Sequence, residues 1–421
     1  VSAAPSAPHT GEHPIDDGKS AFGRLAVLMV TAFIDMLGLL MIIPLLPSYA
    51  KDLGAGGLVV GLLVSSFSVA QLLSAPLWGR FSDKYGRRPA LIVGLGSSAV
   101  AYVVFAYADS LWLLFLSRIV QGAGGGTVSV IQAYVADVTR PEDRAKSLGW
   151  LSAATNAGVA IGPSIGTWVQ HLGPHTPGLL AAGLCVINMV FASRYLIEVR
   201  RPATLRADGS APVRKGSREA VVHVMSHPAE PSSRLILIYA IAIGAFQGTT
   251  AILALFLAWK FSVTKDSIGY FYTYLGTLSV VIRALFLGRV VDHFGEPRLS
   301  RWGLLFLAGG LLGMALAPNL WMLVLAVTLL PLGTAFTFPC VTAMLSRVVS
   351  SSERGLYMGV QQTYGGIMRV AFPIVLGFAF DHFGTQSPFV ISAVTVLATL
   401  FLARDLEKYA PRVKAAPKVV G

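Results

Sequence analysis

The chain has 421 residues, 54% of them hydrophobic and 13% charged, with a net charge of +12 and a mean hydropathy of +0.66. Apolar runs of about 20 residues recur from Arg24 to Arg404, more than a soluble core needs, which excludes a soluble fold and describes an all-α integral membrane protein. A nucleic-acid partner, which the charge alone would suit, needs a basic face on a soluble fold and is excluded with it.

Residues 1–20 (VSAAPSAPHTGEHPIDDGKS) lack the apolar core and cleavage site of a signal peptide, and 1–23 are read as a disordered cytoplasmic tail. Polar loops and Pro/Gly breaks cut the rest into twelve predicted spans. Six lie at 24–48, 58–79, 89–108, 111–136, 147–170 and 178–197, and six at 235–258, 267–290, 300–317, 320–346, 354–380 and 387–404. The first six form one bundle (24–197) and the last six another (235–404). Between them 198–234, rich in Arg, Pro and Ser and without apolar periodicity, reads as a cytoplasmic linker, and 405–421 as a tail. With both termini and the even-numbered connections on one side, that side collects nearly all Lys and Arg. The other holds only Lys51, Lys260 and Lys265, so the basic side is expected to be cytoplasmic.

The first span carries Asp35 inside an apolar run. A carboxylate there is costly unless protonated or paired, and is a functional candidate, the alternative being an acid facing a wet vestibule. The next connection, "GRFSDKYGRR" (79–88), packs Arg80, Asp83, Lys84, Arg87 and Arg88 between Gly79 and Gly86, two points where backbone can turn tightly. It is either a latch or a positive-inside anchor. In the fourth span Arg118 must face a cavity or a partner, with Gln121 one turn on. The "GAGGG" at 122–126 lies inside that span with no preceding strand, and is not a dinucleotide loop. The fifth span has Gly149, Gly158, Gly162, Pro163 and Gly166, small residues that let helices pack closely and a proline that bends one.

In the second half, Phe246, Gln247, Arg283 and Arg369 are candidates for a cavity wall. Arg283 lies close enough to the end of its span to snorkel instead. "GRVVDHFGEPR" at 288–298 repeats the Gly, Arg, Asp and Gly of the 79–88 loop at an offset of 209, with Asp292 in the place of Asp83. "PEDRAKSLGW" (141–150) matches "SSERGLYMGV" (351–360) at an offset of 210, and Pro163 matches Pro373 at the same offset. Six spans separate the copies, so the halves have parallel topology about an axis normal to the membrane. Cys185 and Cys340 give neither a disulfide framework nor metal spacing, and no Walker-type loop is present.

Twelve spans arranged six plus six, with this charged loop between the second and third, resemble the major facilitator superfamily over residues 24–404. The superfamily's loop reads G-x-L-x-D-[RK]-[FY]-G-R-[RK], and Phe81 stands where Leu is usual. The resemblance implies that Asp83 bonds across to the other half when the transporter is open outward. Gly79, Arg80, Gly86, Arg87, Arg88 and Asp292 would complete this conformational latch. Arg118-x-x-Gln121-Gly122 matches the R-x-x-Q-G signature, whose arginine modulates a nearby titrating acid in proton-coupled members. The fifth span follows the antiporter signature G-x8-G-x3-G-P-x2-G-G, with Thr167 in place of the last Gly. The first span resembles that of tetracycline/proton and multidrug antiporters, with Asp35 followed by Pro44 and Pro47.

The implied protein is a secondary transporter of two pseudo-symmetric six-helix bundles, with proton-coupled efflux of small organic or amphiphilic compounds. Uptake or exchange of an organic anion is the alternative, on account of Arg118, Arg283 and Arg369. A non-transporting membrane sensor is the rival from another class. Expected partners are a small-molecule substrate, protons and membrane lipid, with no nucleic acid, cofactor or metal. A monomer in the plasma (inner) membrane with both termini cytoplasmic is expected, and no enzymatic activity.

Overall fold

A computed structural model describes residues 18–139, 143–196, 198, 216–350, 353–404 and 406–409. The first bundle consists of α1 (Gly18–Ile42) with α2 (Leu46–Asp52), α3 (Gly57–Tyr85), α4 (Arg87–Ala106), α5 (Leu111–Ala123) with α6 (Thr127–Val138), α7 (Arg144–Gln170) and α8 (Thr176–Tyr195). After α9 (Ser217–Ser226), the second consists of α10 (Pro231–Phe261), α11 (Ile268–Val281) continued by a π-helical turn (Ile282–Phe286) into α12 (Leu287–Phe294), α13 (Glu296–Leu316), α14 (Leu320–Val348), α15 (Arg354–His382) and α16 (Ser387–Leu402). Among the described residues ten helical stretches are long and apolar enough to cross a membrane. The other two crossings are α7, whose Gly, Ala, Ser and Thr lower its hydropathy, and the 16-residue apolar α16.

Several expected boundaries differ, among them the end of the second span, where α3 runs through Gly79, expected at a turn, to Tyr85. The first helix starts at Gly18, inside the expected tail. The 198–234 stretch holds a helix, α9, because Ala220 and Val224, one turn apart, bury a short apolar face against the second bundle. The Tyr364 hydroxyl donates to the Val221 carbonyl at 2.9 Å and fixes it there. The linker's Arg, Pro and Ser content hid a stripe only two residues wide.

The internal repeat persists in backbone conformation. Gly86 and Gly295 each link two helices with φ/ψ of 106°/164° and 79°/154°, a region closed to residues with a Cβ. The next residue of each copy is buried and forms an ion pair, with its signs exchanged between halves. Arg87 Nε lies 3.0 Å from Asp137 Oδ2, whereas Glu296 receives two bonds from Arg347 at 2.6 and 2.7 Å. The second copy of the loop is thus an inverted pair. We expect Arg87→Met to cost about 3 kcal/mol by removing the cation facing Asp137, and Arg87→Met with Asp137→Leu to recover much of that. Thermal unfolding of the detergent-purified variants measures both.

Glycines set the closest helix contact of the first bundle. A Cβ at Gly158 would stand 2.6 Å from the Phe33 carbonyl, and one at Gly162 2.9 Å from the Leu37 carbonyl. Gly166 meets the Met41 carbonyl in the same way. Three glycines four residues apart therefore ride on three carbonyls of α1 four residues apart.

Candidate transport and coupling site

Asp35 lies ten residues into the crossing Leu25–Asp52. At 1.5 Å per residue this is about 15 Å, half of a hydrocarbon core of about 30 Å. It is 5% exposed, and Thr127 Oγ1 donates to its Oδ2 at 2.8 Å. The donor is in place because the fourth crossing breaks at Gly124–Gly126, so that α6 restarts at Thr127. Trp78 packs on Gly126 and donates to the Ala123 carbonyl, which holds the break open. Proline 44 likewise ends the first helix beyond Asp35, between α1 and α2.

Arg118 is 2% exposed on α5, with its guanidinium 5.6 Å from the centre of the Phe105 ring. Its Nη2 has no hydrogen-bond partner, and the Nε contact to Ser117 Oγ is long, at 3.4 Å. Asp35 and Arg118 form no ion pair within 4 Å. Tyr102, whose hydroxyl accepts from Gln121 Nε2 at 2.7 Å, is within electrostatic reach of both. Gln121, expected from the sequence at the cavity wall, is buried inside the first bundle in this state. Close in sequence to Asp35 and Thr127, Ala32, Ile131, Gln132, Leu151, Thr155 and Asn156 are among the residues lining a recess of about 180 Å³ with mixed polar and apolar walls.

The second bundle presents its candidates differently. Phe246 is half-buried and packs on the core, and Gln247 is exposed. Arg283 sits in the π-helical turn of the eighth crossing, and Arg369 midway along α15. Both are half-buried, and among the described residues neither has a hydrogen bond or ion pair. The π-turn, a local feature frequent at functional sites, left no signal in the sequence. Tyr272 and Tyr274 are tied to Thr250 and Thr328 through their hydroxyls.

Among the described residues the two bundles make their closest backbone contacts toward the face opposite the basic one. There Gly61 of α3 presses on the Pro373 carbonyl of α15, and Gly269 of α11 on the Pro163 carbonyl of α7. The paired prolines of the repeat thus oppose paired glycines. Thr167, the departure from the glycine signature, fits because Gly269 opposite has no side chain. Ser65 Oγ donates to the Val370 carbonyl at 2.7 Å, and Ser164 Oγ lies 2.7 Å from Thr273 Oγ1. At the rim Asp381 accepts from Gly57 N at 2.7 Å and Leu58 N at 2.8 Å, placing a carboxylate of the second bundle on the first turn of α3. Lys265 and Asp52 add an exposed ion pair of 2.9 Å between the bundles.

Toward the basic face the bundles part. A Cβ at Gly79, Gly149, Gly288, Gly355 or Gly359 would touch nothing within 4 Å. Asp83 is 70% exposed and, among the described residues, pairs only with Arg87 of its own loop, at 2.9 Å. Arg87 also binds Ser82 Oγ at 2.8 Å, and Arg88 donates to the Ser193 carbonyl. Arg80 and Asp292 are exposed. The structure is thus closed on one face and open on the basic one. Asp381 was missed in the sequence, although Asp-His-Phe-Gly at 381–384 duplicates 292–295 and gave a signal.

The profile of the Major Facilitator Superfamily matches residues 28–282 and 235–420. Multidrug resistance protein 2 of Bacillus subtilis is 27% identical over 391 residues, 92% of this chain and 95% of that protein. The class B tetracycline resistance protein of Escherichia coli is 26% identical over 359 residues, 85% of this chain and 88% of that protein. Among solved structures, a bacterial homolog of the human lysosomal transporter Spinster, inward-facing and unoccupied, superposes with a TM-score of 0.78 at 15% identity, covering 97% of this chain and 100% of that one. The human organic anion transporter MFSD10 gives 0.67 at 24% identity, covering 91% and 99%. With twelve crossings, a structural repeat and a family match over both halves, the chain belongs to the major facilitator superfamily and is a multi-pass secondary transporter, not an enzyme.

Proposed function

We propose that this protein exports small cationic or zwitterionic amphiphiles in exchange for protons, by alternating access. The observation that carries this reading is Asp35, buried at mid-depth with a single hydroxyl donor and no cation within ion-pair distance. A carboxylate there is tolerated with a proton on it or with a cationic substrate beside it. The two ligands then compete for one group, and each half-cycle carries one of them. Tyr102, bonded to Gln121, lies within electrostatic reach of that group and of Arg118, whose free Nη2 offers a place for the negative charge when the proton leaves. The glycine stripe of α7 and the names of the multidrug and tetracycline resistance relatives support the direction. The charge asymmetry makes the basic face cytoplasmic and the structure inward-facing. On the return stroke Asp83, solvent-facing here, engages the second bundle as the latch.

Arg283 and Arg369 favour a second reading, exchange of an organic anion, because two unpaired guanidinium groups at mid-depth attract negative charge. A transport panel of matched cationic, zwitterionic and anionic compounds in everted vesicles separates the two. We expect a pH gradient to drive accumulation of the cations, and Arg369→Ala to leave their affinity unchanged. A selective loss on the anions of about 1.5–3 kcal/mol, the scale of a hydrogen bond to a charged group, would establish the anion reading instead.

A further inference from the structure

We propose that His223, His227 and Glu230, at the junction of α9 and α10, form a binding site for a divalent transition-metal ion of the zinc class. His223 and His227 are one helical turn apart on the last turn and C-cap of α9, and Glu230 is the N-cap residue of α10. The imidazole rings stack with centroids 4.4 Å apart and planes 25° from parallel. The three potential ligand atoms all lie within 4.8 Å of one another. Two imidazole nitrogens and one carboxylate oxygen are a donor set that zinc takes up, with a fourth position left to water. His223 is half-buried and His227 exposed, so the position is open to water.

The neighbouring bonds prepare the ligands. Ser226 Oγ donates to the Val222 and His223 carbonyls, at 3.1 Å each, so its proton is committed. In the tautomer in which the ring donates the 2.9 Å contact from His227 Nδ1 to Ser226 Oγ, the Nε2 lone pair of His227 is free for a metal. His223 Nε2 lies 2.9 Å from Glu230 Oε2, sharing a proton that a metal ion would displace. Two ligands on a tetrahedral ion at bond lengths of about 2.0–2.1 Å are roughly 3.3 Å apart, so the pair must open by only about 0.4 Å. Because α9 is already seated by Ala220, Val224 and the Tyr364 bond, a bound ion would lock the linker's last helix to the start of the second bundle.

The test uses the purified full-length protein without an affinity tag, stripped with chelator and titrated with Zn²⁺ against a chromophoric competitor. The parent is expected to bind one equivalent through this site, and Co²⁺ to give the ligand-field bands of a tetrahedral complex. His223→Ala and His227→Ala should each weaken the site at least tenfold. Zn²⁺ should raise the melting midpoint of the parent but not of the doubly substituted protein. The site is half-exposed, so these variants are expected to fold, and unchanged melting without metal verifies it. No stoichiometric binding by the parent, or equal binding by the double variant through other histidines such as His9 and His13, overturns the proposal.

Discussion

Replacing Asp35 by Asn is expected to abolish pH-gradient-driven accumulation while the protein still folds and still exchanges substrate for substrate, more weakly for cations, which lose their counter-charge. The amide has nearly the size of the carboxyl group, and its oxygen can still accept from Thr127 Oγ1, so the contact that joins α1 to α6 survives. What is lost is the only titrating group on α1 at mid-depth. Driven accumulation should fall to the background of protein-free vesicles, because coupling requires every turnover to pass through the proton-bound form. Exchange down a gradient needs no such form. If Asp35→Asn retained full gradient-driven accumulation, Asp35 would not be the carrier, and Asp83 or a substrate-borne proton would have to replace it.

Asp381→Ala should release the closed face. Its carboxylate accepts two backbone donors on the first turn of α3, and hydrogen bonds to a charged acceptor contribute about 1.5–3 kcal/mol each before solvent screening at an exposed rim. A net loss of about 1–3 kcal/mol shifts the ratio of the two open states by roughly 5- to 150-fold toward the outward-facing form. Asp381→Asn, which keeps an acceptor but loses the charge, should shift it less. Spin labels in the 53–56 and 383–386 connections report the opening directly. Cys185 and Cys340 are buried and contribute little background labelling. An unchanged distance distribution in Asp381→Ala would show that the remaining contacts across the face hold it shut without this carboxylate.

Much of the fold could be read from apolar runs, charge asymmetry and the 209–210 residue offsets, because burial in lipid constrains composition over whole helices. The turn glycines Gly86 and Gly295 were visible for the same reason, since only glycine fits their conformation. The coupling side chains Asp35 and Arg118 stood out as charges in hydrocarbon. Their relation did not: Tyr102 of α4, held by Gln121 of α5, lies within electrostatic reach of both, and nothing in a linear pattern pairs residues on different helices. Glu296 stands where the first copy has Arg87, and only Arg347, on another helix, shows that the exchange makes an inverted ion pair. The α9 helix escaped notice because two buried residues are too few to make a period. Contacts between the bundles were the least legible, as Gly61, Gly269 and Asp381 acquire their partners only when one face of the molecule closes.

Proton–substrate exchange at Asp35 is tested most directly by reconstituting the purified protein in vesicles that enclose a pH indicator, with an imposed pH gradient, and adding a cationic substrate. We predict substrate-dependent proton movement opposite to the solute, in fixed stoichiometry, and absent in Asp35→Asn. Solute flux with no accompanying proton flux, or protons moving in the same direction as the solute, would contradict it.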